Sequence, residues 1–129
     1  MSRRQMTSEL VQEWAESILR QVGAPPDATV TVAAGAGAAG AADVEATLSF
    51  ADGSAVTVEL AAATGETDAV VLLADRFQDA VLEETGGIPL PPCPGHNHPA
   101  VAAEIDGIPS WTCPHGMGRS TEPILQAAD

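Results

Sequence analysis

Residues 44–60 read VEATLSFADGSAVTVEL, and the predicted architecture of the chain is built around this stretch. On both sides of Asp52-Gly53, apolar residues alternate with threonine, serine, alanine or glutamate, which is the period of a strand with one buried face. An Asp-Gly pair between two such runs is a strong hairpin signal. The sequence therefore predicts two antiparallel strands, with one face toward a core and the other toward water.

A third strand is predicted before this hairpin. Val30 and Val32 alternate with two threonines, again with a period of two. Between this strand and the hairpin, residues 33–42 form an almost pure Ala/Gly run that offers little apolar surface to bury. We expect this run to be a flexible loop.

Two amphipathic helices are predicted to pack on the apolar face of the sheet. The first helix has Thr7 or Ser8 at its start and Gly23 as its stop. Its apolar residues recur every four positions: Leu10, Trp14, Ile18 and Val22. The second helix is predicted over residues 68–85 and ends before Gly86. Its apolar stripe consists of Val70, Leu73, Phe77, Ala80 and Val81.

Charge argues against two classes of partner. The chain has 18 acidic and 5 basic residues, for a net charge of −13, so phosphate backbones and anionic lipid surfaces repel it. The order helix, three strands, helix resembles that of the double-stranded RNA-binding domain. Such domains reach phosphates with basic side chains, whereas the second helix here offers Arg76 among five acidic residues. We therefore expect neither nucleic-acid nor membrane binding.

The amino terminus carries Arg3-Arg4 without the apolar stretch of a secretory signal, and no window has the length of a membrane span. We expect a cytoplasmic protein, or one assembled into a particle that is made in the cytoplasm. In that compartment, two cysteines are more often metal ligands or thiols than a disulfide.

Residues 93–115 read CPGHNHPAVAAEIDGIPSWTCPH and contain both cysteines and all three histidines of the chain. Thiolate and imidazole are the ligands that zinc prefers in a tetrahedral site. The candidate ligands are Cys93, His96, His98, Cys113 and His115. Only 3% of the chain is aromatic, which predicts a light core, and small domains with light cores often depend on a metal or a disulfide.

The spacer between the two halves of this cluster predicts a second hairpin, centred on Asp106-Gly107. With Ile105 opposite Ile108, Ala100 lies opposite Cys113. If pairing continues, His98 lies opposite His115, and both share a face with Cys113.

Five candidates compete for four positions. Cys93 and Cys113 are the best-supported ligands, and His96 and His98 are favoured as the other two. His115 is the alternative, which another hairpin register would place in the metal site. Two thiolates and two imidazoles leave no open position for a substrate, so the predicted cofactor is one structural zinc ion.

At Cys93-Pro-Gly-His96 and Trp111-Thr-Cys113-Pro the chain resembles a zinc ribbon, in which a hairpin joins two knuckles. The resemblance covers residues 91–115 and departs from the usual four-cysteine pattern by its histidines. The same run is similar to one in small proteins of high-GC actinobacteria and their phages. Zinc ribbons serve both nucleic-acid machinery and assembly contacts, so the resemblance implies a metal and no particular activity.

The predicted fold class is α+β: helix, three-stranded antiparallel sheet and helix, followed by a small zinc-bound β-hairpin. We divide the chain into an α-β-β-β-α domain over residues 1–88, a zinc-knuckle hairpin over residues 89–118 and a flexible tail over residues 119–129.

Three functions are compatible with this sequence. The first is a non-enzymatic protein-interaction module, in a homo-oligomer or a larger assembly, in which Val101, Ile105 and Ile108 form an apolar face. The second is a zinc-dependent enzyme with Glu104 or Asp106 as its general base, although no known catalytic motif is present and no catalytic residue is predicted. The third, a nucleic-acid-binding zinc ribbon, is disfavoured by the charge.

Overall fold

The computed structural model describes residues 7–34, 44–61, 65–86, 91, 99–113 and 122–125. In these ranges the chain forms two helices and two three-stranded antiparallel sheets, so the predicted α+β class is confirmed. The elements are α1 Ser8–Val22, β1 Thr29–Ala34, β2 Val44–Ser49, β3 Ala55–Leu60, α2 Glu66–Thr85, β4 Val101–Ile105, β5 Ile108–Thr112 and β6 Glu122–Pro123. We call β1-β2-β3 the N-terminal sheet and β4-β5-β6 the C-terminal sheet.

Helix α1 has the predicted bounds because both of its ends are capped. The Thr7 hydroxyl accepts a hydrogen bond from the Leu10 N–H at 3.1 Å, which satisfies one of the free donors of the first turn. Gly23 ends the helix with a φ of 71°, a left-handed conformation that glycine adopts without steric cost. Trp14 lies in the core, as its place in the apolar stripe predicts.

Helix α2 starts at Glu66, two residues earlier than predicted, and ends at Thr85 as predicted, with Gly86 as its left-handed C-cap at a φ of 83°. Its buried stripe is wider than the predicted one and includes Ala69, Ala74 and Gln78. The reason is that α2 contacts β3 of the N-terminal sheet and both β4 and β5 of the C-terminal sheet. Neither helix of the described ranges is long and apolar enough to cross a membrane.

The N-terminal sheet has the predicted antiparallel pairing of β2 with β3, and β1 lies on the other side of β2. Val44, Ala46 and Leu48 are buried on the helix side. Five residues, 50–54, connect β2 to β3. Within them a 2.9 Å backbone hydrogen bond between Phe50 and Ser54 closes a three-residue turn, in which Gly53 has a φ of 94°. Strand β1 continues to Ala34, so the predicted loop loses its first two residues, and residues 35–42 lie outside the described ranges.

The C-terminal sheet confirms the predicted register of the second hairpin, with Ile105 opposite Ile108 and Val101 opposite Thr112. Asp106 and Gly107 both have positive φ, at 53° and 79°. A two-residue hairpin turn of type I′ requires positive φ at both of these positions. The sequence predicts a hairpin alone, but β6 pairs with β5 and makes a three-stranded sheet.

The predicted tail therefore contributes to the fold. Glu122–Pro123 forms β6, and the next residue, Ile124, is 0% exposed. Its N–H donates to the Pro109 carbonyl at 2.8 Å. Ile124, Trp111 and Ala100 belong to the same buried cluster as the apolar residues of α1, α2 and the N-terminal sheet.

Candidate metal centre

Of the five predicted zinc ligands, the structure describes Cys113. This residue directly follows β5 and is 9% exposed. The other four, Cys93, His96, His98 and His115, lie outside the described ranges. Within those ranges, no group of three or more His, Cys, Asp or Glu side chains could hold a metal ion. The full ligand set therefore stays a prediction.

Two chain segments meet beside Cys113. The last paired residues of the hairpin are Val101 and Thr112, so Ala100 directly precedes β4 and Cys113 directly follows β5. The Ala100 N–H donates to the carbonyl of Pro91 at 2.9 Å. Residue 91 thus lies next to the start of β4, at the same end of the hairpin as Cys113.

Ala100 is also fixed from the helix side. Gln78, which is 3% exposed in the middle of α2, donates from Nε2 to the Ala100 carbonyl at 2.7 Å. Both backbone polar groups of Ala100 are therefore hydrogen-bonded, and Ala100 itself is 5% exposed. A buried amide that reaches a backbone carbonyl sets the position of that backbone, because neither group can turn to water instead.

Trp111 ties the same sheet to α1. Its indole Nε1 donates to Oε1 of Gln21 at 2.6 Å, and Nε2 of Gln21 donates to the Ile124 carbonyl at 2.7 Å. Trp111 is 3% exposed and lies in the core cluster. The sequence predicts that Trp111 covers the metal site; its described contacts make it a core residue that joins β5, α1 and the end of the chain.

Gln21 and Gln78 were missed by the sequence analysis. A glutamine in an amphipathic helix normally marks the water-facing side, and neither residue lies in a motif. Their role depends on the C-terminal sheet, which packs against the helices from far along the chain. The one available signal is that Gln78 lies next to Phe77 and three residues before Val81, both in the predicted stripe.

The apolar face predicted on the hairpin is present. Val101, Ile105 and Ile108 share one side of the β4–β5 ladder by register, and Ile108 is 50% exposed. The hairpin turn is held to the first turn of α2, because the Thr67 hydroxyl donates to the Gly107 carbonyl at 3.0 Å. Glu104 and Asp106, the acids considered for an enzyme, are both exposed.

Comparison of the chain with protein-family models, with curated proteins and with solved structures found no match.

Proposed function

We propose that this protein is a non-enzymatic protein-interaction module whose carboxyl-terminal part is stabilised by one structural zinc ion. The ligands are drawn from Cys93, His96, His98, Cys113 and His115. The surface that meets the partner is the apolar side of the β4–β5 hairpin, around Ile108.

The single observation that carries the zinc proposal is the hydrogen bond between Ala100 and Pro91 beside Cys113. Cys93 follows Pro91 by two residues, and a chain spans at most about 3.3–3.6 Å per residue. His98 precedes Pro99 directly, and His115 follows Cys113 by two residues. Both cysteines and all three histidines are thus at most three residues in sequence from Pro91, Pro99 or Cys113, which lie at one end of the hairpin.

The interaction surface is supported by its rigidity and its exposure. Ile108 is the exposed large apolar side chain of the described residues, and the tight turn and the Thr67 contact hold it in place. A pre-positioned apolar side chain contributes to binding because little conformational entropy is lost when the partner covers it. The net charge of −13 keeps such a protein soluble before assembly.

Elemental analysis of protein purified without added metal tests the zinc proposal. We expect one zinc per chain, and we expect Cys113→Ser to lose it. Ser110→Ala, a change of similar size on β5 that removes a hydroxyl group, serves as the control and keeps the zinc. A metal-free preparation that folds normally would contradict the proposal.

The interaction proposal is tested by isolating tagged protein from its native host. We expect a stoichiometric complex with a protein partner or with further copies of the chain, and we expect Ile108→Asp to abolish it. Thr57→Asp, at an exposed position on β3, is the matched control and preserves the complex. Recovery of a monomer with zinc-dependent hydrolytic turnover would favour the enzyme alternative instead.

A further inference from the structure

A groove lies between the β2–β3 loop and the carboxyl-terminal half of α2, on a part of the molecule that the proposed function does not use. It encloses about 480 Å³, within the range of about 300–1,000 Å³ that is usual for ligand pockets. Phe50, Val56 and Ala80 contribute apolar surface to it. Phe50 is 8% exposed, while Val56 and Ala80 are half-buried.

Four carboxylates and one guanidinium also line the groove. The acids are Asp52, Asp79, Glu83 and Glu84, and the base is Arg76. The carboxyl end of α2 adds the negative end of a helix dipole at the same place. The last turn of α2 has no basic residue, whereas the last turn of α1 has Arg20. The groove is therefore negative for two reasons, the excess of carboxylates and the helix dipole.

Ser54 stabilises one of these carboxylates at a time. Its hydroxyl lies 2.7 Å from Oδ1 of Asp52 and 3.3 Å from Oε1 of Glu84, and its backbone N–H also donates to Asp52 at 2.9 Å. A hydroxyl has a single proton, and the shorter contact favours Asp52. The pKa of Glu84 is raised, first by removal of its carboxylate from water and second by the negative charge of Asp52. A cation bound at Glu84 would offset both effects, because its attraction favours the charged carboxylate.

The apolar lining points to an organic cation. Among the described residues, which include every residue that lines this groove, no three carboxylates converge closely enough to hold a metal ion. An arginine side chain fits better, because its aliphatic stem covers apolar surface while its planar guanidinium donates to more than one carboxylate.

We propose that this groove binds an arginine side chain from an exposed basic segment of a partner protein. The stem lies over Phe50 and Val56, and the guanidinium donates to the carboxylates of Glu84 and Asp52. This inference is independent of the zinc ion and of the apolar side of the hairpin.

The test is a titration of the ¹⁵N-labelled protein with the blocked peptide Ac-Gly-Arg-Gly-NH2, followed by amide chemical shifts. We expect saturable shifts centred on Phe50, Val56 and Ala80. The same peptide with citrulline, which keeps the shape and removes the charge, should produce none. A lysine peptide should bind more weakly, since its ammonium lacks the planar set of donors with which a guanidinium binds carboxylates.

Variants distinguish specific binding in the groove from general electrostatic attraction of a cationic peptide to an acidic protein. We expect the double variant Asp52→Asn with Glu84→Gln to bind the arginine peptide several-fold more weakly. The double variant Asp79→Asn with Glu83→Gln should also weaken binding, and it leaves the β2–β3 loop unchanged. The control is Glu13→Gln with Glu59→Gln, which removes the same charge from exposed positions outside the groove. Equal weakening by the control, equal affinity for the lysine peptide, or the same shifts with calcium chloride would overturn the proposal.

Discussion

Two glutamines, one on each helix, hold the C-terminal sheet in place. Gln21 of α1 accepts from the Trp111 indole and donates to the Ile124 carbonyl. Gln78 of α2 donates to the Ala100 carbonyl. Each amide thus satisfies a polar group that the sheet buries, and a buried polar group without a partner costs about 1–3 kcal/mol.

Gln21→Ala is expected to destabilise the protein by about 1–3 kcal/mol, because it leaves the Trp111 N–H and the Ile124 carbonyl without this partner. Urea unfolding followed by tryptophan fluorescence measures the change. Gln12→Ala is the control on the same helix, since Gln12 donates to the exposed carboxylate of Glu16 at 2.9 Å and reaches the Val30 carbonyl only at 3.5 Å. A Gln21 variant no less stable than the Gln12 variant would show that the contact contributes nothing.

Glu84 gives a prediction about pH. Its pKa lies above its ordinary value of 4.5, so the folded state binds the proton more tightly than the unfolded state does. Its contribution to stability is therefore present at low pH and is lost as the pH rises through the folded-state pKa. We expect Glu84→Gln to raise the melting temperature at pH 7, with the difference shrinking below pH 4.5.

Melting curves of wild type and variant across this pH range provide the measurement. Glu59→Gln, on the water-facing side of β3, controls for the change in net charge. An equal gain from both variants would assign the effect to net charge rather than to the surroundings of Glu84.

At the scale of elements, the two hairpins connect their antiparallel strands with turns of different length. The β2–β3 loop closes a three-residue turn between Phe50 and Ser54 and uses Gly53 at a φ of 94°. The β4–β5 turn has two residues, with positive φ at both Asp106 and Gly107. Both turns contain Asp-Gly, so the dipeptide predicts a hairpin in each case and leaves the loop length open.

Gly107→Ala is expected to destabilise the fold by about 1–2 kcal/mol, because an alanine at a φ of 79° is strained. Apart from its chain neighbours, a methyl group there meets nothing within 4 Å, so the cost arises within the local backbone and not from contacts with the rest of the fold. Gly65→Ala is the matched control: its site is equally open, but its φ is −65°. Chemical denaturation of both variants should separate them by about 1 kcal/mol.

At the scale of the whole molecule, the core does not end where the predicted domain boundary lies. Ala100, Trp111 and Ile124 join the cluster formed by α1, α2 and the N-terminal sheet. Helix α2 contacts both sheets, so its burial depends on each of them. We therefore expect the described parts to unfold in one cooperative transition.

Ile124→Ala tests this continuity. Ile124 is 0% exposed although it lies five residues from the end of the chain, and truncating a buried isoleucine costs about 2–5 kcal/mol. Leu125→Ala, at a half-buried neighbour, should cost less. Amide exchange of the Ile124 variant should show lost protection in α1 as well as in β5. Loss confined to the C-terminal sheet would mean that this sheet unfolds by itself.

The sequence by itself determined the parts of the fold that depend on neighbouring residues. The caps Thr7 and Gly23, the Asp-Gly turns and the alternation of β2 and β3 are local, because each acts through backbone conformation or through one face of one element. The register of β4 with β5 follows from its turn, and so the opposition of Val101 and Thr112 was predictable.

Only the tertiary structure decided what covers the second side of α2, where the chain's last strand pairs, and which polar side chains are buried. Gln21, Gln78 and Ile124 acquire their roles from residues up to 103 positions away, and a pattern within a single element contains no information on such partners. The groove of Phe50 and Glu84 has the same origin, since it exists because α2 packs beside a loop that precedes it in the chain. Local chemistry specifies the elements here, while burial between distant elements decides which of their surfaces are available for function.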